Sequence, residues 1–378
     1  MVTAAQTLPP GTAPPLRAAA VRHLGPNWYA SVMGTAVVGT AGAGLPWDVP
    51  GLRTVCAAVW ALSLVMLVVL LAARTLHWRH HRDQARAHLL DPAAAPFYGC
   101  LSMALLAVGG GAVTVGRDWT GERAAVALDV VLFTAGTVIG LAAAVAVPYL
   151  MGARHRIEPG QATPVWLLPL VAPMVSAALG PLLVPHLPPG QPRETLLLAC
   201  VGMFGLSLLA TLVMLPVIFG RLLTGGPLPL ALTPTLFLVL GPLGQSTTAV
   251  GKFAETAPGT VSEPYAQGFG VLAVLYGVPV MGFALMWLAL AGAHVVRARR
   301  RGMGFSMTWW AFTFPVGTCV TGAEALARHT GLAVYEGLTA LLYALLVTAW
   351  VLAAAHTARG LFTGSLLAPP RPAPAPAV

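Results

Sequence analysis

Residues 53–74 read RTVCAAVWALSLVMLVVLLAAR. Between Arg53 and Arg74 lie 20 residues without a charge. A helix of about 20 apolar residues crosses the hydrocarbon core of a bilayer. Working outward, Glu263 and His294 bracket 30 such residues, and Glu336 and His356 bracket 19. Ten apolar stretches of this kind fill nearly the whole chain, at about 27–46, 53–73, 96–116, 124–148, 163–185, 195–219, 229–251, 266–293, 306–327 and 335–356. Only 9% of residues are charged and mean hydropathy is +0.78, against about 25% charged residues in a soluble domain. The fold class is therefore an all-α membrane protein of ten transmembrane helices. Its function lies in or across the bilayer.

Three parts follow from this pattern. Residues 1–22, rich in Ala, Pro and Thr, are expected as a disordered N-terminal tail, and the Pro-Ala-rich residues 359–378 as a disordered C-terminal tail. Residues 23–358 form the membrane domain. Of the 21 basic residues, 15 fall on the side that holds both termini, among them Arg17, Arg22, Arg74, Arg79, Arg82, Arg86 and the run at Arg297–Arg301. The other side takes Arg53, Arg117, Arg123, Arg193, Lys252 and Arg328. The positive-inside rule then places both termini in the cytoplasm of a multi-pass plasma-membrane protein. The net charge of +9 is mostly this topology signal, and nucleic acid is not an expected partner.

The odd-numbered stretches carry internal breakers: Gly34, Gly39, Gly42 and Gly44 in the first, Gly109-Gly110-Gly111 in the third, and Pro164, Pro169, Pro173 and Pro181 in the fifth. The seventh has Pro234, Gly241, Pro242 and Gly244, and the ninth has Pro315 and Gly317. The even ones read as smoother: the second has none, while the eighth departs from this with Gly277, Pro279 and Gly282. A break frees backbone polar groups that lipid cannot satisfy, so it is tolerated only where protein or water covers it. The alternation predicts five helical hairpins around a central pore, with the odd helices inside. Close packing of small residues between helices is the competing reading.

No Arg or Lys lies in the interior of an odd stretch. An anion held there would be met by backbone N–H groups, hydroxyls and positive helix ends, which suits weak binding and fast passage. Gln245 and Ser246, followed by Thr247 and Thr248, are either pore-lining donors or interhelical hydrogen-bond partners. Asp129 and Glu324 are the intramembrane acids. Proton coupling and a solvated or paired end position are the two readings of each. Arg53, Lys252 and Arg328 read as interface anchors or as an electrostatic funnel for anions. Cys56, Cys100, Cys200 and Cys319 have no metal spacing and read as small buried residues. His77, His80, His81 and His88 cluster in the first cytoplasmic loop, as a wet basic helix end or as a metal site without a complete ligand set.

Three segments carry a family resemblance: Gly25-Pro26-Asn27-Trp28-Tyr29-Ala30-Ser31-Val32-Met33-Gly34-Thr35, Leu240-Gly241-Pro242-Leu243-Gly244-Gln245-Ser246, and Trp309-Trp310-Ala311-Phe312-Thr313-Phe314-Pro315-Val316. With ten spans, they resemble the tellurite-resistance/dicarboxylate transporter family of bacterial tellurite-resistance permeases, plant slow-type anion channels, and fungal malate and sulfite transporters. The resemblance covers residues 25–357. It implies a pore for small anions, C4-dicarboxylates such as malate or sulfite and other inorganic anions, in a homotrimer without a cofactor. It also implies that Phe314 plugs the pore. The breaks and the polar run of the odd stretches give the expected lining of that path: Gly34, Gly110, Pro173, Gly241, Pro242, Gly244, Gln245, Ser246 and Pro315. Taken by itself, a lone intramembrane Phe reads as core packing or a lipid-facing side chain.

An embedded enzyme or a sensor is the alternative class. The chain has no His-Glu-x-x-His, no Gly-x-Ser-x-Gly, no Walker segment and no signalling domain. An enzyme is not expected. Residue patterns leave open which anion passes, and whether the path is a channel or a proton-coupled carrier.

Overall fold

The computed structural model describes residue 22 and residues 24–366, except 156 and 159. Apart from Arg22, the expected N-terminal tail lies outside the described residues, as do residues 367–378 of the expected C-terminal tail. Ten principal helices follow one another: α1 Tyr29–Ala43, α2 Leu52–His80, α3 Ala95–Thr120, α4 Glu122–Ala153, α5 Pro164–His186, α6 Gln191–Thr224, α7 Leu240–Thr256, α8 Glu263–Arg300, α9 Phe314–Thr330 and α10 Ala333–Phe362. There is no strand among the described residues. The last helix continues through Arg359 to Phe362, past the point where the sequence suggested a tail.

The two helix classes differ in regularity. The even helices are continuous, from 29 residues in α2 to 38 in α8. They keep their helical path through Pro148, Pro216 and Pro279. Each odd helix instead starts through a 3-10 segment: Pro26–Trp28, Ala95–Phe97, Pro164–Trp166, Leu230–Val239 and Met307–Phe312. Proline opens the first three, where its fixed φ and missing N–H cost least. Further in, the triple glycine of α3 leads into a π-helical stretch, Ala112–Gly116, and α5 tightens to a 3-10 helix over Gly180–His186. Among the described residues, seven helices are long and apolar enough to cross a membrane. The α-helical parts of α1, α7 and α9 have only 15, 17 and 17 residues, because 3-10 turns take up their first stretches.

The odd helices close a ring. α1 packs on α3, α3 on α5, α5 on α7, α7 on α9, and α9 returns to α1. Each even helix fills the groove between its hairpin partner and the next odd helix, so α2 touches α1 and α3, and α10 touches α9 and α1. Burial follows the same division. The most apolar windows of α3 and α5 are 89% buried, against 33% or less in the five even helices. The even helices present Val65, Val131, Val213, Leu275 and Leu341 outward, all exposed, as a lipid-facing layer requires.

The outer layer also satisfies backbone groups at the irregular segments. Trp60 Nε1 of α2 donates to the Val108 carbonyl of α3 at 2.9 Å, and Trp287 Nε1 of α8 to the Leu236 carbonyl in the 3-10 turn before α7 at 2.9 Å. Ser207 of α6 donates to the Leu170 carbonyl of α5. An unmade hydrogen bond on a buried carbonyl costs about 1–3 kcal/mol, so these contacts let bent helices sit inside straight ones.

The four cysteines are buried and unpaired. The histidine loop is less wet than its composition suggests. A short helix, Arg82–Leu90, folds back onto α2, which buries His77 and stacks it on His88 with ring centroids 5.5 Å apart. Among the described residues no group of three or more His, Cys, Asp or Glu side chains is arranged to hold a metal.

Candidate functional site

The axis of the ring is closed by apolar side chains. Met33 of α1, Met103 of α3, Val171 of α5, Gly241 of α7, and Phe314 with Pro315 of α9 line one small central cavity, together with Leu238 from the turn before α7. Every odd helix contributes to it. Its volume of about 10 Å³ is roughly the room one water needs. Phe314 is 4% exposed and forms part of this lining.

Local sequence puts Phe314 there. The 3-10 turn Met307–Phe312 ends at Thr313 (φ −95°, ψ −80°), and the α-helix begins at Phe314 with Pro315 in its first turn. Pro315 has no N–H to extend the preceding turn, so the helix axis breaks at this point. The positive end of α9 therefore lies at the constriction. Gly34 of α1 sits against this break, where a Cβ would overlap the Thr313 hydroxyl and come 3.0 Å from the Trp310 ring.

The polar run on α7 divides by direction. Ser246 and Thr247 both donate to the Leu243 carbonyl of their own helix at 3.0 Å. Thr248 bonds to the Gly244 carbonyl at 3.0 Å and to the Thr321 hydroxyl of α9 at 2.7 Å. The Gln245 side chain makes no hydrogen bond among the described residues, and the residue is 5% exposed. It lies one helical turn beyond Gly241 on the same face, and Gly241 has open space where a Cβ would point. Gly244 differs from its neighbour: its missing Cβ would lie 2.5 Å from the backbone of Thr318 and Cys319. It is a contact point between α7 and α9. A Cβ on Gly110 would lie 3.1 Å from the Leu179 side chain of α5. Pro173 is buried in α5, away from the central cavity lining.

The two acids occupy different places. Asp129 is on α4, in the outer layer, with its carboxylate 2.5 Å from where a Cβ on Gly109 would lie and with Oδ2 unpartnered. It lies between α3 and α4. Glu324 is on α9, packed against Gly44 at the C-terminal end of α1, with Oε1 unpartnered. One turn further along α9, Arg328 pairs with Glu255 at 2.9 Å, and Lys252 pairs with the same carboxylate at 2.6 Å. Arg53 pairs with Asp118 at 2.6 Å. Arg53, Lys252 and Arg328 thus each carry a carboxylate partner, and their field on a passing anion is partly cancelled.

Sequence reasoning missed Met33, Met103 and Val171. Each reads as an ordinary buried apolar residue. Their only signal is position, about one turn past the Pro-aromatic start of their helices.

Residues 23–358 match the SLAC1 family, described as voltage-dependent anion channels. The chain belongs to the SLAC1 family. A protein of Methanocaldococcus jannaschii described as an uncharacterized transporter is 25% identical over 350 residues, covering 92% of this chain and 96% of that one. Sulfite efflux pumps of Arthroderma otae and Trichophyton rubrum are each 26% identical, over 353 and 349 residues, covering 89% of this chain and 91% of theirs. The SLAC1 family is the one that the three sequence motifs resembled, and its members are channels and transporters. The chain is accordingly a multi-pass membrane protein of an anion-transporting family.

Proposed function

We propose that small oxyanions, sulfite foremost, cross the membrane along the axis of the five-helix ring, and that Phe314 closes this path. The carrying observation is the central cavity, to which every odd helix contributes and in which the Phe314 ring leaves about 10 Å³. Sulfite is favoured by the fungal relatives, which are sulfite efflux pumps. Malate and other small anions share the same chemistry and form the comparison set.

The odd helices hold no Arg or Lys near the constriction; Lys252 and Arg328 lie toward their far ends. An anion would be met by the positive end of α9, the amide of Gln245 and the hydroxyl of Thr321. Such dipoles bind weakly, which allows release. The proposal includes ten crossings with both termini in the cytoplasm of the plasma membrane, a homotrimeric assembly, and Glu324 as the group that couples proton to anion movement.

Flux of sulfite, nitrate, chloride and malate into liposomes carrying the purified protein tests this reading. Sulfite is expected to move fastest, with negligible movement of potassium. Potassium flux equal to that of the anions would overturn it.

A further inference from the structure

A second cavity, of about 530 Å³, lies outside the ring at the ends of α1, α2 and α3. Three guanidinium-bearing residues line it: Arg74, Arg79 and Arg82. Arg74 is only 6% exposed. It donates to the Leu24 carbonyl at 2.6 Å and to the Tyr98 hydroxyl at 3.2 Å, and its guanidinium lies 5.9 Å from the Tyr98 ring centroid. Among the described residues none of the three pairs with a carboxylate. The neighbouring acid, Asp83, is paired with Arg22 at 3.8 Å. A buried cation without a counter-charge is costly unless an anion completes the site.

The walls identify the kind of anion. Leu71, Thr75 and Trp78 recur at helical spacing on one face of the α2 end, Arg82 opens the short helix that follows, and all four line the cavity. The same face runs back to Val68, which is 58% exposed on the apolar outer surface. Leu101 of α3 forms the opposite apolar wall. Trp78 stands between the apolar stretch and the arginines, where indoles sit at membrane interfaces. One continuous strip thus offers room for an acyl chain at one end and guanidinium donors for a phosphate at the other.

The geometry points to a binding site for the phosphate headgroup of an anionic phospholipid in the cavity formed by Arg74, Arg79, Arg82, Trp78 and Tyr98. The site does not depend on which anion the ring passes. Basic pockets between membrane helices bind headgroups of this class, and the lipid would tie α2 to the start of α3.

The test uses the full-length protein in detergent, with bound lipid read by native mass spectrometry. Phosphatidylglycerol is titrated against phosphatidylcholine. The expected result is preferential retention of phosphatidylglycerol, lost in Arg79→Ala/Arg82→Ala and largely kept in Arg79→Lys/Arg82→Lys. Arg74 is left in place because it also holds the chain at Leu24. Arg300→Ala/Arg301→Ala, at the end of α8, is expected to keep the preference. Equal retention of both lipids, or an unchanged preference in Arg79→Ala/Arg82→Ala, would overturn the proposal. So would loss of the preference in the α8 variant, since that would mean diffuse charge attraction. Inorganic phosphate or sulfite displacing the lipid from the wild-type protein would assign the pocket to a free oxyanion and also sink it.

Discussion

Gly34 of α1 lies directly against Thr313, the residue just before α9 at which the 3-10 turn ends and the helix carrying Phe314 begins. Two ring neighbours distant in sequence thus fix the position of one break. Gly34→Ala would push a methyl group into the Thr313 hydroxyl and against Trp310. Overpacking of this kind costs about 1–3 kcal/mol. The variant is expected to unfold at lower temperature and to show altered basal flux, because the break that aims Phe314 must move. An unchanged melting temperature together with unchanged flux would contradict this.

Gly241 and Gly244 are expected to respond in opposite ways. A side chain at 241 enters the central cavity, where a Cβ meets no atom within 4 Å. Gly241→Leu should therefore fold and block flux. A side chain at 244 meets the α9 backbone at 2.5 Å, where nothing can rotate away. Gly244→Leu should lose about 1–3 kcal/mol or more and yield little folded protein. Comparing monodisperse yield and flux for the two variants separates a path-facing glycine from a packing glycine.

These glycines also show what the sequence could reveal. The hairpin ring was legible because broken and smooth helices alternate along the chain, and a break needs cover. The reading was coarser than the structure, since Pro148 and Pro216 show that even helices carry breakers too. The direction of each side chain was not legible. α7 is buried nearly all round, so no polar stripe marks the side that faces the axis, and Gly241 and Gly244 look alike. Ser246 looked like Gln245 for the same reason, until its hydrogen bond to Leu243 showed it satisfied within its own helix. Asp129 could not be assigned to the back of α3 without knowing which outer helix face meets Gly109. The short α-helical parts of α1, α7 and α9 were hidden because 3-10 turns have the same apolar composition as the helices they precede.

Gln245 should govern passage more than folding. Its side chain makes no hydrogen bond among the described residues, so Gln245→Leu leaves few partners stranded. Anion flux is expected to fall while the melting temperature holds. Thr248→Val is the counterpart: it removes the bond to Thr321 at 2.7 Å and should cost about 0.5–1.5 kcal/mol. A large loss of stability in Gln245→Leu with normal flux would reverse the assignment.

Glu324 and Asp129 should separate in a pH experiment. Glu324 lies on an inner helix with an unpartnered oxygen, against α1. Asp129 lies in the outer layer behind Gly109. Glu324→Gln is expected to flatten the dependence of anion flux on a pH gradient, and Asp129→Asn to preserve it. Flux measured in liposomes at matched and opposed pH decides the matter. A pH dependence retained in Glu324→Gln would reduce that residue to packing.

The most direct test is Phe314→Ala, with sulfite flux and thermal stability measured on the same purified protein. If the ring closes the path, removing it opens the axis. Basal flux should then rise about tenfold or more, equivalent to about 1.4 kcal/mol off the barrier, while the protein stays folded. If Phe314 is core packing alone, the change should cost about 3–5 kcal/mol through a cavity with flux unchanged or lower. A destabilised Phe314→Ala protein that does not leak would contradict the account.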